Sequence, residues 1–249
     1  MRYRIYEIVL TFFIVILFTH LQAQAQNIKL TAKEIIEKMI ETYKNSISYQ
    51  DTGIVIETTF SEKLGKIVNK KPFKTYFVRP NLFRFEWKES FYPGKRMYRC
   101  VVWCNGKDTY TYWQTGKLER MRNLKDGILA NAGVSSGSSY TVPSMLIFSE
   151  ESFILKNLVI EKITNEEEIN RTLCYVIQAK HKTRKKKYFI WIGKKDFLLR
   201  KLKRDIITPN LKGFSEEIHQ NIRINHEIPL HIFNLKPFEK KSNLLSPNF

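Results

Sequence analysis

The hydrophobic positions follow a helical period near the start of the chain and a strand period after residue 50. In the segment TAKEIIEKMIETYKN (31–45) they fall at Ile35, Ile36, Met39, Ile40 and Tyr43. This spacing puts them on one face of an amphipathic helix, and Thr31 with Glu34 forms a capping box that begins such a helix. The segment therefore predicts a helix that ends near Asn45 and buries its apolar face against another element.

From residue 52 onward, apolar and polar residues alternate and many are β-branched or aromatic, which predicts strands. FKTYFVRPNLFRFEW (73–87) predicts two aromatic strands, and Asn105-Gly106 predicts a tight hairpin turn within 98–113. Further strands are predicted at 52–60, 117–121, 154–163, 173–179, 187–192, 197–206 and 216–224. Because nearly every connection is short, we predict an α+β fold with one antiparallel sheet of about eight to eleven strands and the helix on its concave face.

One interval breaks the strand pattern. Residues 124–149 are rich in Gly and Ser before Pro143 and apolar after it, which predicts a loop with one or two short helices. Long insertions of this composition are usually functional or mobile. Gly133–Gly137 matches the G-x-S-x-G pattern of serine hydrolases, but no strand precedes it and no helix directly follows it. We therefore favour a flexible lid or turn, and we expect no enzymatic activity.

The N-terminal segment has the pattern of a secretory signal. Arg2 and Arg4 precede the apolar run Ile8–Phe18, and Ala23-Gln24-Ala25 supplies a small-x-small cleavage site. The run is shorter than the about 20 residues that span a membrane, although an uncleaved anchor is the alternative. We predict a signal peptide at 1–25, one domain at 26–240, a disordered tail at 241–249 and a periplasmic or otherwise exported location.

The chain carries a formal net charge of +18. An exported basic protein is not expected to meet nucleic acid, so anionic membrane surfaces, acidic polysaccharide or an acidic protein, such as another envelope protein, are the better partners. Twelve Lys or Arg residues and one acid lie between Lys180 and Arg204. The segment KHKTRKKK within it predicts a basic hairpin turn, which is either a solvated turn or an anionic-surface contact through Arg184, Lys185, Lys186 and Lys187.

The three cysteines leave two alternatives open. Cys174 could form a disulfide with Cys100 or Cys104, or all three could be buried thiols. Neither the cysteines nor the histidines have the spacing of a metal site, and the sequence indicates no cofactor.

Several segments together resemble a known group of proteins. They occur in the order TAKEIIEKMIETYKNSISYQDTGIV, FKTYFVRPNLFRFEW, VVWCNGKDTYTYW, GVSSGSSYTVPSML, TLCYVIQAK, WIGKKDFLLRKL and NIRINHEIPLHIF. This series, which covers most of 31–235, resembles an exported bacterial family of unknown function that is similar to the LolA/LolB-like outer-membrane lipoprotein carriers. The resemblance implies a half-open β-barrel with helices on its concave face, in which the true carriers hold acyl chains. It assigns no ligand residue to this chain.

The physics of acyl-chain transport agrees with that fold. Exposing an acyl chain to water costs about 0.8 kcal/mol per methylene, so a carrier needs an apolar cavity with a cover. The residues predicted to line it are Phe73, Phe77, Phe83, Phe85 and Trp87, and those predicted to act as a lid are Ile36, Met39 and Ile40. Plain core packing is the alternative for each of them. We expect a carrier or sensor of a lipid or lipoprotein acyl chain, and the alternative is a periplasmic protein-interaction module without a lipid ligand.

Overall fold

The computed structural model describes residues 30–63, 65–89, 97–114, 118–208 and 211–234. The predicted signal peptide at 1–25 and tail at 241–249 lie outside these residues. No helix of the described part is both long enough and apolar enough to cross a membrane.

The first part of the chain forms helix α1 (Ala32–Asn45) and then six strands. These are β1 (Ser48–Ser61), β2 (Gly65–Val78), β3 (Leu82–Glu89), β4 (Tyr98–Asn105), β5 (Thr109–Trp113) and β6 (Leu118–Met121). The aromatic segment forms β2 and β3, and Asn105-Gly106 lies in the turn between β4 and β5, as the sequence predicts. We call β1–β6 the N-terminal half-sheet.

The second part begins with a helical segment and ends with five strands. The helices are α2 (Leu124–Ala130), α3 (Val142–Ile147), a 3₁₀ helix (Ser149–Glu151) and α4 (Phe153–Asn157). The C-terminal half-sheet comprises β7 (Leu158–Ile169), β8 (Thr172–His181), β9 (Lys187–Gly193), β10 (Leu199–Thr208) and β11 (Leu211–Ile224), and a 3₁₀ helix (Leu230–Phe233) follows.

All neighbouring strands pair antiparallel in one open sheet of the order β6-β5-β4-β3-β2-β1-β11-β10-β9-β8-β7. The predicted half-open barrel with helices on its concave face is confirmed. Its two half-sheets meet where β1 pairs with β11, and its edges are β6 and β7. Because residues 122–157 connect these two edges, the helical segment has to cross one face of the sheet.

The helices divide this concave face between them. Helix α1 contacts α3 and β7, whereas α2 contacts β4, β5 and β6. The predicted apolar face of α1 is confirmed, since Ile35, Ile36, Met39, Ile40 and Tyr43 are all buried. The Tyr43 ring lies 5.5 Å from that of Tyr49 on β1, and its hydroxyl accepts a hydrogen bond from the Leu199 amide of β10 at 3.1 Å. Helix α1 therefore contacts strands of both half-sheets.

A substitution in α1 tests whether this packing maintains the fold. Ile36→Asp places a charge without a partner in the core, so we expect the chain to lose its cooperative thermal unfolding. Ile36→Ala should lower the free energy of unfolding by about 2–5 kcal/mol, measured by urea titration. The control Glu41→Ala, on the exposed face of α1, should change it by less than about 0.5 kcal/mol. An Ile36→Asp protein as stable as the wild type would show that α1 is not anchored on the sheet.

Candidate functional site

The aromatic residues predicted to line a cavity lie together on the concave face. We call Phe73, Phe77, Phe83, Phe85 and Trp87 the aromatic floor. Phe73 is opposite Trp87 and Phe77 is opposite Phe83 in the β2–β3 register, so these residues share a face. The Phe85 ring lies 5.6 Å from that of Phe73 and 5.7 Å from that of Trp87. The floor is thus one continuous aromatic surface.

In this structure, other parts of the protein pack against the whole of the aromatic floor. Its five side chains are 0–3 % exposed. A void wide enough for a water molecule would leave accessible area on its walls, so the floor borders no such void. The predicted lid residues Ile36, Met39 and Ile40 are also buried, in α1. The sequence predicts a short helix within 124–149 but not its position: α2 contacts β4 beside the floor and buries Ile128.

A group of buried polar residues lies beside the floor, across the β1–β11 pairing. We call Tyr49, Asp51, Glu217 and His219 the polar cluster; all four are at most 2 % exposed. Asp51 Oδ2 lies 2.7 Å from His219 Nδ1 and accepts a hydrogen bond from the Tyr49 hydroxyl at 2.8 Å. Glu217 Oε1 lies 3.2 Å from His219 Nε2. The imidazole therefore bridges two carboxylates, one from each half-sheet.

The two carboxylates keep this imidazole charged. Burial lowers the pKa of His219, but the hydrogen bond to Asp51 and the nearby carboxylates of Asp51 and Glu217 outweigh burial and raise it to about 9. Burial, followed by the charge of Asp51, raises the pKa of Tyr49 well above its ordinary value. At neutral pH the polar cluster thus contains an imidazolium ion and a neutral phenol, both of which can donate to Asp51.

A glycine allows the floor to reach the polar cluster. The Phe73 ring lies over Gly53 of β1 and contacts the His219 ring with a centroid separation of 5.3 Å. A Cβ at position 53 would lie 2.1 Å from Phe73 Cζ, so a side chain there would displace the ring. The aromatic and polar parts of the concave face are therefore adjacent without a gap.

Some buried polar atoms on this face are not satisfied. Within the described part of the chain, five such atoms on or beside the floor have no hydrogen-bond partner. Glu217 Oε1 and His219 Nε2 face each other as an ion pair at 3.2 Å, whereas Thr75 Oγ1, Trp87 Nε1 and Asp51 Oδ1 have no such counterpart. Thr75 is directly opposite Asp51 in the β1–β2 register, and Phe85 is opposite Thr75. Since leaving a buried polar group unpaired costs about 1–3 kcal/mol, these atoms call for a functional explanation.

Residues 131–141, which we call the serine loop, cover part of the concave face. Polar contacts attach this loop to the sheet. Thr141 Oγ1 donates to Glu217 Oε2 at 2.9 Å, and Lys71 Nζ donates to the Val134 carbonyl at 3.0 Å. Arg204 of β10 donates to the Ser136 carbonyl. Gly137 has φ +86, and a Cβ there would clash with the Arg204 guanidinium. These contacts connect the loop to β2, β10 and β11.

The serine loop is not a nucleophile elbow. Ser135 lies in a series of turns and is fully buried. Its hydroxyl donates to Ser139 Oγ at 3.0 Å and accepts from the Ser139 amide at 3.1 Å. The G-x-S-x-G match thus reflects a small-residue loop that folds onto the sheet, where its serines satisfy each other and the backbone.

The predicted basic hairpin is present, but the basic run does not share one face. Arg184, Lys185 and Lys186 lie in the β8–β9 turn, and Lys187 begins β9. Of the later cations, Arg204 points to the serine loop on the concave face and Lys194 bonds Glu166 at 2.6 Å. Strand alternation separates the run, because successive residues face opposite sides of a sheet.

The disulfide alternative is wrong. Cys100 and Cys104 are opposite Trp87 and Phe83 in the β3–β4 register, which puts both on the concave face. Cys174 lies on β8 of the other half-sheet and packs with Val176 and Trp191 on the convex face. None of the three forms a disulfide and all are buried, and burial raises the pKa of Cys174 to about 11. No group of three potential metal ligands was found among the described residues.

The charge on His219 generates a prediction about pH. Because its folded pKa of about 9 exceeds the unfolded value near 6.5, its stabilising effect is fully present below pH 6.5 and is lost as pH rises through 9. Between pH 7 and 9, the free energy of unfolding of the wild type should fall relative to that of His219→Gln by about 1.4 kcal/mol per pH unit. Urea titrations at several pH values measure this difference, and parallel profiles for the two proteins would contradict it.

Comparisons with known proteins add only a likeness of fold. No family model and no curated protein matches the chain. Among solved structures it is similar to a LolA superfamily protein from Nitrosomonas europaea, with a TM-score of 0.35 and 12% identity, over 84% of this chain and 99% of that chain. LprF from Mycobacterium bovis matches with a TM-score of 0.42 and 10% identity, over 80% and 95% of the two chains. A DUF1329 family protein from Desulfovibrio piger matches with a TM-score of 0.35 and 12% identity, over 83% and 98%. The LolA superfamily is the group that the sequence resemblance names, but these low values transfer neither a ligand nor a residue role.

Proposed function

We propose that the protein is an exported, non-enzymatic carrier or sensor that binds an amphiphilic lipid or a lipoprotein acyl chain on the aromatic floor, beneath α2 and the serine loop. The observation that supports this most directly is a continuous aromatic surface with unsatisfied polar atoms buried at it. If these residues served only to pack the core, the unpaired Thr75 Oγ1 and Trp87 Nε1 would lower the stability of the protein without a function.

The aromatic side chains and the unsatisfied polar groups together indicate the class of ligand. The five aromatic side chains suit alkyl chains, whose removal from water is worth about 0.8 kcal/mol per methylene. The unsatisfied groups are a hydroxyl, an indole N–H and a carboxylate oxygen. An ester or amide near the acyl chain could accept from Thr75 and Trp87, and a ligand hydroxyl or amide N–H could donate to Asp51. An acylated molecule with such groups fits better than a pure hydrocarbon.

Binding requires the cover to move, because protein fills the floor in this structure. The segment 122–157 is attached to β6 at one end and β7 at the other, and between them its serine loop is held by the contacts to Lys71, Arg204 and Glu217. Arg79, in the β2–β3 turn, donates to the Tyr43 and Leu146 carbonyls at 3.3 Å and so fastens the ends of α1 and α3 together. Lifting α2 and the serine loop would expose the floor while α1 stays in place.

Two substitutions separate ligand binding from core packing, of which Thr75→Val is nearly isosteric and Trp87→Phe also removes volume. Thr75→Val and Trp87→Phe each remove one unsatisfied polar group and keep the floor apolar. If a ligand pairs with these groups, each change should weaken binding of a fluorescent diacyl phospholipid or a lipopeptide by about 2- to 12-fold, measured by fluorescence titration. The melting temperature of Thr75→Val should stay level or rise, because a buried unpaired group is lost, whereas that of Trp87→Phe should fall, because volume is removed from the core.

A matched control lies on the convex face. Trp103 Nε1 donates to the Phe233 carbonyl at 2.8 Å, so Trp103→Phe should lower stability and leave the affinity for the probe unchanged. If neither probe binds the wild type, and native mass spectrometry of protein purified from its own cell envelope finds no acylated ligand, the proposal fails. In that case the protein-interaction module would be the better function.

A further inference from the structure

We infer that one end of the convex face docks on an anionic lipid bilayer. At this end of the sheet lie the β1–β2, β8–β9 and β10–β11 turns and the start of β7. The docking strip, as we call it, comprises the apolar residues Phe60, Val68, Val159 and Ile207 and the basic residues Lys66, Lys180, Lys182, Arg184, Lys185, Lys186, Lys187 and Lys212. It goes beyond the proposed function, since docking does not require an occupied floor.

The strand register places most of these residues on one face. Ile207 is opposite Lys212, Lys212 is opposite Phe60, and Phe60 is opposite Lys66, which makes one row across β10, β11, β1 and β2. Residues directly opposite each other share a face, and this is the face turned away from Arg204 and the serine loop. At the other side of the strip, Val159 is opposite Lys180, and Lys180 is opposite Lys187.

The apolar members of the strip are unusually exposed. Ile207 is 51% exposed, Phe60 50%, Val68 44% and Val159 41%. A single exposed hydrophobic side chain is ordinary, but several of them among cations at one end of a sheet indicate an interaction surface. Apolar side chains beside Lys and Arg are the combination that the boundary between lipid headgroups and acyl chains accepts.

All the basic members except Lys66 and Lys212 line a groove of about 590 Å³ at the β8–β9 turn. Glu161 and Asp205 are the acids that line it, and Glu161 is paired with Lys180 at 3.2 Å. The cations therefore outnumber the acids. Burial and the nearby Arg184 and Lys186 lower the pKa of His181, and burial and Arg184 lower the pKa of Lys186. Both shifts are consistent with a positive field that an anion would relieve.

The extent of the strip favours a bilayer over a small anion. From β7 to β2 it crosses six strand spacings of about 4.8 Å, or about 29 Å in all. A free phosphate would use only the groove and would gain nothing from Phe60 and Val68 on the other side of the strip. A surface of anionic headgroups can engage the whole of it.

Vesicle co-sedimentation of the exported form, without the predicted signal peptide at 1–25, tests the inference. Vesicles of pure phosphatidylcholine are compared with vesicles that also contain phosphatidylglycerol, at low and high salt. The variant R184S/K185S/K186S/K187S should lose at least about 100-fold in partitioning to the anionic vesicles at low salt. The variant K33S/K38S/K194S/K195S removes the same charge elsewhere and should stay within about threefold of the wild type. Circular dichroism confirms that each variant is folded.

A second variant tests the apolar half of the surface. F60S/I207S should weaken binding to anionic vesicles at both salt concentrations, since the lost contribution is not screened. T75V/W87F should bind vesicles like the wild type, which separates docking from occupation of the floor. Three outcomes would overturn the inference: equal binding to neutral vesicles, equal losses in the two quadruple-serine variants, or full competition by inorganic phosphate at the concentration of the lipid phosphate. The last outcome would indicate a small-anion site instead.

Discussion

The pairing of β1 with β11 is the interaction on which the rest of the molecule depends. It joins strands that lie far apart in the sequence and turns two meanders into one sheet. Helix α1 leads directly into β1, so its position over the concave face is set by the same pairing. Closing so long a loop costs conformational entropy that only a large buried surface can offset, and the concave face supplies that surface.

The polar cluster occupies the centre of this junction. Burying charges costs several kcal/mol per ion unless each is paired, and the imidazole of His219 pairs with carboxylates from both half-sheets. Glu217 also accepts from Thr141 of the serine loop. One set of charges thus fixes the β1–β11 junction and holds the cover, so the stability of the sheet and the closure of the concave face share the same electrostatic origin.

The sequence predicts the local elements well. Helix α1, the aromatic strands and the Asn105-Gly106 turn each have a short-range signal in period or turn chemistry. The antiparallel order follows from the short connections. The β1–β11 pairing has no local signal, because Asp51 and His219 read as ordinary polar residues in strands until the register brings them together.

For the serine loop and the basic run, the sequence leaves the final arrangement open, and the reasons differ. Small polar residues predict a flexible lid or turn, and in the structure Ser135 and Ser139 hydrogen-bond one another and are buried. Charge counting groups Lys203 with Arg204, although alternation along β10 sends them to opposite faces. The alternation was visible in the sequence, whereas the mutual pairing of the serines depends on the loop's fold.

At two places in this chain, a large side chain fills the space beside a glycine. Phe73 fills the space that a side chain at Gly53 would take, and the Arg204 guanidinium fills the space beside Gly137. Neither member of a pair can acquire bulk while its partner keeps its own. During divergence of this sequence, a larger residue at 53 or 137 should therefore be accompanied by a smaller one at 73 or 204, so the contacts that shape the concave face should evolve as coupled pairs.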